Sequence, residues 1–315
     1  MKKLLIIKLG YSETLDNQVS LVTSLGDVLR ATVLLHFFKE YRISWLVAAK
    51  ARPLLEGNRY IDRIYDYNQQ ALCLLQKKSF DLVINLEKLP GVCAFAEALA
   101  TKRYLGFRLG GANQPRVKFI AKDKSAKISQ YLAEKKNNQD CWQQVIAESL
   151  GKQWRGEGYI LGYRPSSKIK YDIGFNWTVG NKWPVKAWPR KKWKKLGGLI
   201  DKKYSISWQK GLNSLKEYID WLNSCRLVVT ADTLGLHICF ALRKRVIALF
   251  GPTSHREMHF YNCGSVILPQ TTYRCLPCFK SKCSKKRQCM DFIDPETVKK
   301  EIDRELKNSK ITRKL

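Results

Sequence analysis

Three short stretches set reactive side chains beside glycine at the start of a helix. Ser24-Leu25-Gly26-Asp27 follows a loop and opens a helical pattern. As local structure it reads as a capping box, with Ser24 at the N-cap and Asp27 three residues on. As chemistry it offers Gly26, where a ligand can approach the backbone. Beside it stands Asp27, a carboxylate able to take the proton of an attacking hydroxyl, a role worth roughly 10²–10⁴ in rate. The second stretch, residues 178–193, carries Thr178, Lys182 and Lys186 among two Trp-Pro pairs, Trp183-Pro184 and Trp188-Pro189. It runs from a strand into a helix that Pro189 suits as first residue. The N–H groups and dipole of such a terminus favour phosphate, and the lysines add cations. A tryptophan-rich packing corner and a stacking platform for nucleic-acid bases are the alternatives. The third stretch is Ala231-Asp232-Thr233-Leu234-Gly235-Leu236-His237, again at the end of a β-rich run. Asp232 reads there as an N-cap or as a ligand-facing carboxylate, and His237 as a packed helix residue or a ligand contact.

A fourth pattern is Cys275-x2-Cys278-x4-Cys283-x5-Cys289. Four thiols at this spacing could hold a structural zinc, or stand as free thiols or disulfides. His255 and His259 lie upstream and could join Cys275 and Cys278 in a mixed site. Other chemistries are excluded. No Asp-x-Asp pair exists, which removes the usual metal-dependent nucleotide-sugar site. Neither the phosphate-binding Gly-x-x-x-x-Gly-Lys-Ser/Thr loop nor Gly-x-Gly-x-x-Gly occurs.

The elements that must position these residues follow from periodicity. Strands are expected at 4–9, 43–47, 61–65, 82–86 and 104–107, with helical links at 24–41, 54–57, 70–77 and 92–100. A helix near 140–150 and a Gly-, Pro- and Ser-rich linker at 156–167 follow. The second half repeats the logic. Its strands are at 171–175, 204–208, 227–230, 246–250 and 266–268. Its helices start at 189, span 214–223 and 235–242, and close the chain at 295–306 behind Asp294. This alternation predicts parallel, doubly wound α/β sheets. The 315 residues suggest two domains, 1–165 and 166–315, with ligands bound in a cleft between them.

Taken in order, several segments resemble glycosyltransferase family 9, the ADP-heptose:lipopolysaccharide heptosyltransferases. They are Leu4-Ile6-Ile7-Lys8, the Ser24–Leu29 stretch, Pro53-Leu54-Leu55-Glu56-Gly57-Asn58, and Trp183-Pro184-x-Lys186-x-Trp188-Pro189. Val228-Val229-Thr230-Ala231-Asp232-Thr233 with His237, the run Val246–Thr253, and Pro277-Cys278 through Cys289-Met290 to Pro295-Glu296 complete the series. The resemblance implies a GT-B fold of two Rossmann-like domains, acceptor bound by the first and nucleotide-sugar donor by the second. It implies inverting transfer that requires no metal. Asp27 matches the catalytic base, with Lys8, Ser24 and Gly26 beside it on the acceptor side. Thr178, Lys182, Lys186, Asp232, Thr233, Gly235 and His237 fall in donor-binding segments. Three features depart from the family pattern. A long stretch, Gly10–Thr23, carries Glu13 and Asp16, which could contact an acceptor or substitute as base. Leu234 replaces the glycine that usually follows Asp-Thr, and Gly235 comes one later. Trp208 runs almost directly into the Ser214 helix, where the family has a further strand–helix unit.

Lys and Arg number 57 against 27 Asp and Glu, a net charge of +30. Such a charge draws a protein to anionic surfaces. The charge does not choose among nucleic acid, an acidic membrane and a phosphorylated glycolipid; the resemblance implies an anionic glycolipid acceptor and the inner face of the cytoplasmic membrane, nucleic acid being the weaker alternative. No run of 18 apolar residues occurs and the opening apolar run is too short for a leader. The sequence thus predicts a cytoplasmic protein, peripheral on the membrane, with its cysteines mostly reduced.

Overall fold

The computed structural model describes residues 1–11, 22–109, 117–120, 127–128, 131, 134–211 and 214–311. The chain divides into two units between Tyr163 and Arg164.

The first unit holds β1 (Lys2–Ile7), β2 (Tyr41–Val47), β3 (Arg63–Asp66), β4 (Ser79–Phe80), β5 (Leu82–Asn85), β6 (Ala100–Thr101), β7 (Tyr104–Leu109) and β8 (Val117–Ile120). Its main sheet runs β3-β2-β1-β5-β7-β8. All neighbours are parallel except β7 and β8. The last four residues of β1 and all of β5 are buried. Strands covered on both faces read as continuous apolar runs for this reason. Helices α1 (Leu25–Ala31), α2 (Gln69–Gln76), α3 (Pro90–Glu97) and α4 (Trp142–Ser149) connect them. Leu5, Ile7 and Val83 of the sheet pack with Ala71 and Leu75 of α2 and Val92 and Ala96 of α3. Strand order reverses between β1 and β5, whose register pairs Ile7 with Asn85.

The second unit is a five-stranded parallel sheet in the order β10-β9-β11-β12-β13. Its strands are β9 (Tyr171–Asn176), β10 (Ile206–Trp208), β11 (Cys225–Ala231), β12 (Arg245–Leu249) and β13 (Gly264–Ile267). Helices α5 (Arg190–Leu199), α6 (Leu215–Ser224), α7 (Leu234–Ala241) and α8 (Pro295–Ile311) complete it. Ile173, Phe175, Val229 and Ile247 face Trp193 and Leu196 of α5 and Val298 and Ile302 of α8. Here the order reverses between β9 and β11. In open α/β sheets the crevice beyond the strand ends at such a reversal is where ligands bind.

The expected elements are largely found, with four differences. The helical link expected over 54–57 is instead a 3₁₀ helix, Ala49–Leu54, followed by a turn. The helix expected over 24–41 is α1 followed by a 3₁₀ turn, Thr32–His36. The Thr32 hydroxyl donates to Leu29 O at 2.6 Å and accepts from Ile160 N at 2.8 Å. That distant partner ties the chain where a longer helix would run. Helix α5 begins at Arg190, with Pro189 as its extended N-cap rather than its first residue. The antiparallel edge strand β8 and the short pair β4 and β6 have no counterpart in the sequence reading.

Candidate active site

In the first unit, Ser24 is the N-cap of α1, but its side chain makes no capping hydrogen bond. The capping box is therefore not what Asp27 is for. Its carboxylate pairs with Arg30 at 2.9 Å, and the Asp27 side chain is 14% exposed. The Arg30 guanidinium lies 4.5 Å from the centre of the buried Trp142 ring, a cation–π arrangement that fixes its plane. Gly26 is buried. Lys8, placed on the acceptor side by the sequence, turns inward and is fully buried. Its ammonium donates to Leu86 O at 3.3 Å and Tyr11 O at 3.4 Å, and lies 3.4 Å from Glu87 Oε1. Burial on this scale demands pairing, and it leaves Lys8 holding strand ends rather than meeting a ligand. Glu13 and Asp16 lie outside the described residues.

In the second unit the side chains gather beyond β9, β11 and β12. Lys186 Nζ meets Asp232 Oδ2 at 2.6 Å, and the Thr253 hydroxyl donates to the same oxygen at 2.7 Å. Asp232 is buried. Burial pushes its carboxyl upward, but the charges of Lys186 and His237 and the two hydrogen bonds outweigh it and hold the group below its ordinary value. The Lys186 ammonium also lies 5.0 Å from the Trp183 ring centre. Thr233, not Asp232, is the N-cap of α7, accepting from Gly235 N. Asn176, at the end of β9, donates to Thr230 at 2.7 Å and to Thr233 at 3.1 Å, and accepts from the Tyr218 hydroxyl at 2.9 Å. Gly235 has a packing reason. A Cβ there would lie 2.4 Å from Asn176 Nδ2 and 2.5 Å from the Tyr218 oxygen. His237 is buried within α7. Thr178 donates to Gln209 Oε1, in a loop beside this group. Lys182 is half-buried.

The four cysteines line one shallow pocket with Val185, Pro252, Tyr273 and three lysines. Among the described residues no group of three or more His, Cys, Asp and Glu is arranged to hold a metal. Cys289 belongs to the core, and a Cβ on Gly251 would come within 2.8 Å of its sulfur. Burial, with Cys278 next, pushes its thiol up to about 11. Cys275 and Cys283 are exposed. His255 and His259 are drawn into no such group either.

A family description, glycosyltransferase family 9 (heptosyltransferase), matches residues 211–288, the stretch that contains Asp232, Thr233, His237 and Thr253. The resemblance to glycosyltransferase family 9 holds. Lipooligosaccharide heptosyltransferase 2 of Campylobacter jejuni is 29% identical over 86 residues. That match spans 27% of this chain and 27% of the relative, so it covers about a quarter of each protein. Escherichia coli ADP-heptose lipopolysaccharide heptosyltransferase II superposes with a TM-score of 0.66 at 16% identity, over 98% of this chain and 99% of that one. E. coli heptosyltransferase WaaC, solved with ADP-2-deoxy-2-fluoro heptose, gives 0.61 at 17% over 96% and 99%. The iron-containing glycosyltransferase TibC of enterotoxigenic E. coli gives 0.57 at 14% over 98% and 76%. The fold is thus the GT-B fold of these solved structures.

Several residues of the two clusters escaped the sequence reading. Asn176, Tyr218 and Thr253 complete the group around Asp232, Arg30 pairs with Asp27, and Asn85 and Glu87 hold the turn at Leu9 and Gly10 beside Lys8. A polar residue closing a buried strand, as Asn85 and Asn176 do, was the available signal.

Proposed function

We propose that this chain is an inverting, metal-independent glycosyltransferase that moves heptose from ADP-heptose to the inner core of lipopolysaccharide. The observation that carries the reading is the Lys186–Asp232–Thr253 group at the strand ends of the second unit, most of it inside the family 9 match. In this reading Lys186 and neighbouring N–H groups stabilise the charge that develops on the leaving diphosphate. Asp232 holds Lys186 in place, and Thr253 and His237 hold Asp232. Asp27 accepts the proton of the acceptor hydroxyl, whose oxygen attacks the anomeric carbon opposite the leaving group. Arg30, backed by Trp142, fixes the carboxylate. A lysine in this role supplies the positive charge that other transferases take from a divalent ion. The protein works at the cytoplasmic face of the membrane, on an anionic glycolipid.

One observation favours a second reading, a different nucleotide-sugar for another surface glycan. Strand β10 passes through Gln209 and Gly211 into α6 with no intervening strand and helix.

Thermal unfolding against a panel of nucleoside diphosphates and nucleotide-sugars decides between them. A ligand at 100 times its Kd stabilises by about 2.7 kcal/mol. A selective rise with ADP and ADP-heptose is expected. A rise with another nucleotide replaces the donor, and no rise with any overturns the donor site. Asp27→Asn should lower transfer by roughly 10²–10⁴ while nucleotide binding stays unchanged. Transfer at the wild-type rate would remove Asp27 from the chemistry.

A further inference from the structure

The crevice between β1 and β5 is where a doubly wound sheet ordinarily receives a ligand. In the first unit a protein carboxylate fills it. Glu87 follows β5 and is 1% exposed. Its Oε1 accepts from Leu9 N at 2.8 Å and from Gly10 N at 2.9 Å. Two successive backbone N–H groups converging on one oxygen form an anion nest of the kind that elsewhere cradles phosphate. The Lys8 ammonium lies 3.4 Å from the same oxygen. Glu87 is itself held: its N–H donates to Asn85 Oδ1 at 3.0 Å, and Asn85 Nδ2 donates to Glu87 O at 3.0 Å and Phe107 O at 2.7 Å.

What the carboxylate holds leads to Asp27. Gly10 has φ +100, a left-handed conformation that favours glycine. A Cβ there would also stand 2.9 Å from Ser24 O. In this conformation Gly10 O accepts from Ser24 N, and Tyr11 bridges Thr23. Ser24 is the N-cap of α1, and Asp27 lies in its first turn. One continuous path therefore runs from the Glu87 carboxylate through the Gly10 turn to the helix that presents Asp27.

We propose that Glu87 is a positioning residue. It is a built-in anion that takes the ligand's place at the reversal of the first sheet and, by gripping Leu9 and Gly10, sets where α1 begins and hence where the Asp27 carboxylate lies. The inference rests on the reading of Asp27 as the base. It requires no contact between Glu87 and substrate. It predicts that length and charge at position 87 govern turnover and leave donor affinity alone.

The test compares the full chain with Glu87→Gln, Glu87→Ala and Asp27→Asn. Glutamine keeps an oxygen for the two N–H groups but withdraws the charge facing the buried Lys8 ammonium, so urea unfolding of each variant accompanies the kinetics and rates are compared under conditions where each is folded. Misplacing a reacting group by about 1 Å costs on the order of 10²-fold. Glu87→Ala is therefore expected to lower kcat for transfer from ADP-heptose to heptose-deficient lipopolysaccharide by about that factor. Glu87→Gln should lose less, and KM for the donor and Kd for ADP should not change. Amide exchange over residues 22–31 should quicken in Glu87→Ala while peptides of the second unit keep the wild-type rate. On an Asp27→Asn background Glu87→Gln should cost nothing further. Wild-type kcat and wild-type exchange at residues 22–31 in both Glu87 variants would overturn the proposal. So would losses that multiply with Asp27→Asn. If Asp27→Asn alone transfers normally, the base assignment fails. Exchange at residues 22–31 then still decides whether Glu87 holds α1.

Discussion

Lys186 and Asp232 stand 46 residues apart in the chain and 2.6 Å apart in the fold. Both were legible as candidates, since each lies in a short motif at a strand end. Their pairing was not, because nothing local to either motif names the other. The pair has a sharp consequence. Removing the ammonium leaves a buried carboxylate without its cation, which typically costs about 3 kcal/mol or more. Lys186→Ala should therefore weaken the second unit by about 3 kcal/mol in urea unfolding at neutral pH. The pH dependence has a definite sign. The folded Asp232 value is lowered, so the pair's contribution is complete above the unfolded carboxyl value of about 3.9. It disappears as pH falls through the lower folded value. The gap between wild type and Lys186→Ala should accordingly shrink below about pH 4. A gap unchanged by acid would show that the ion pair is not what the substitution removes.

At the level of elements, the repeating strand-and-helix pattern was readable because buried parallel strands leave continuous apolar runs between polar helices. Ile6-Ile7 and Leu227-Val228-Val229 are such runs, and each became a central strand. The 3₁₀ turn after α1 was not readable, because its cause is the bond between Thr32 and Ile160, 128 residues away. Strand β8 pairs antiparallel with β7 across a stretch whose pattern carries little periodicity. Helix α7 shows what the sequence did convey about the site and what it concealed. Gly235 was read as part of a donor-binding segment, yet the atoms that crowd it belong to Asn176 and Tyr218. Overpacking of this kind costs about 1–3 kcal/mol. Gly235→Ala is expected to lower the stability of the second unit within that range, and Gly235→Ala with Tyr218→Phe to recover part of it. Thermal melts of the two variants check this, and a neutral Gly235→Ala would contradict the packing.

For the whole molecule, the net charge of +30 sets a long-range preference that no single residue carries. No helix among the described residues is long and apolar enough to cross a membrane. A charge of this sign and size predicts attraction to anionic surfaces. Binding to vesicles of anionic phosphatidylglycerol should be strong at low salt and absent on phosphatidylcholine. It should decline as the screening length shrinks from about 10 Å at 0.1 M to about 3 Å at 1 M. Flotation at a series of salt concentrations measures it. Salt-insensitive binding would point to apolar insertion instead.

The aromatic packing of the second unit gives it an optical identity. Trp188 and Trp193 have ring centres 5.0 Å apart, Trp193 and Trp208 6.5 Å, and Trp177 and Trp208 5.8 Å. Indoles this close and steeply inclined couple their transitions, so this unit should dominate the near-ultraviolet circular dichroism. Trp188 and Trp193 are buried and should emit at short wavelength, while Trp183 lies beside the Lys186 ammonium. Occupation of Lys186 by a diphosphate should thus change Trp183 emission and leave the coupled dichroism of the cluster intact. The chain carries its own dye for the donor, and a Trp183→Phe variant that still reports ADP by fluorescence would show that the signal comes from elsewhere.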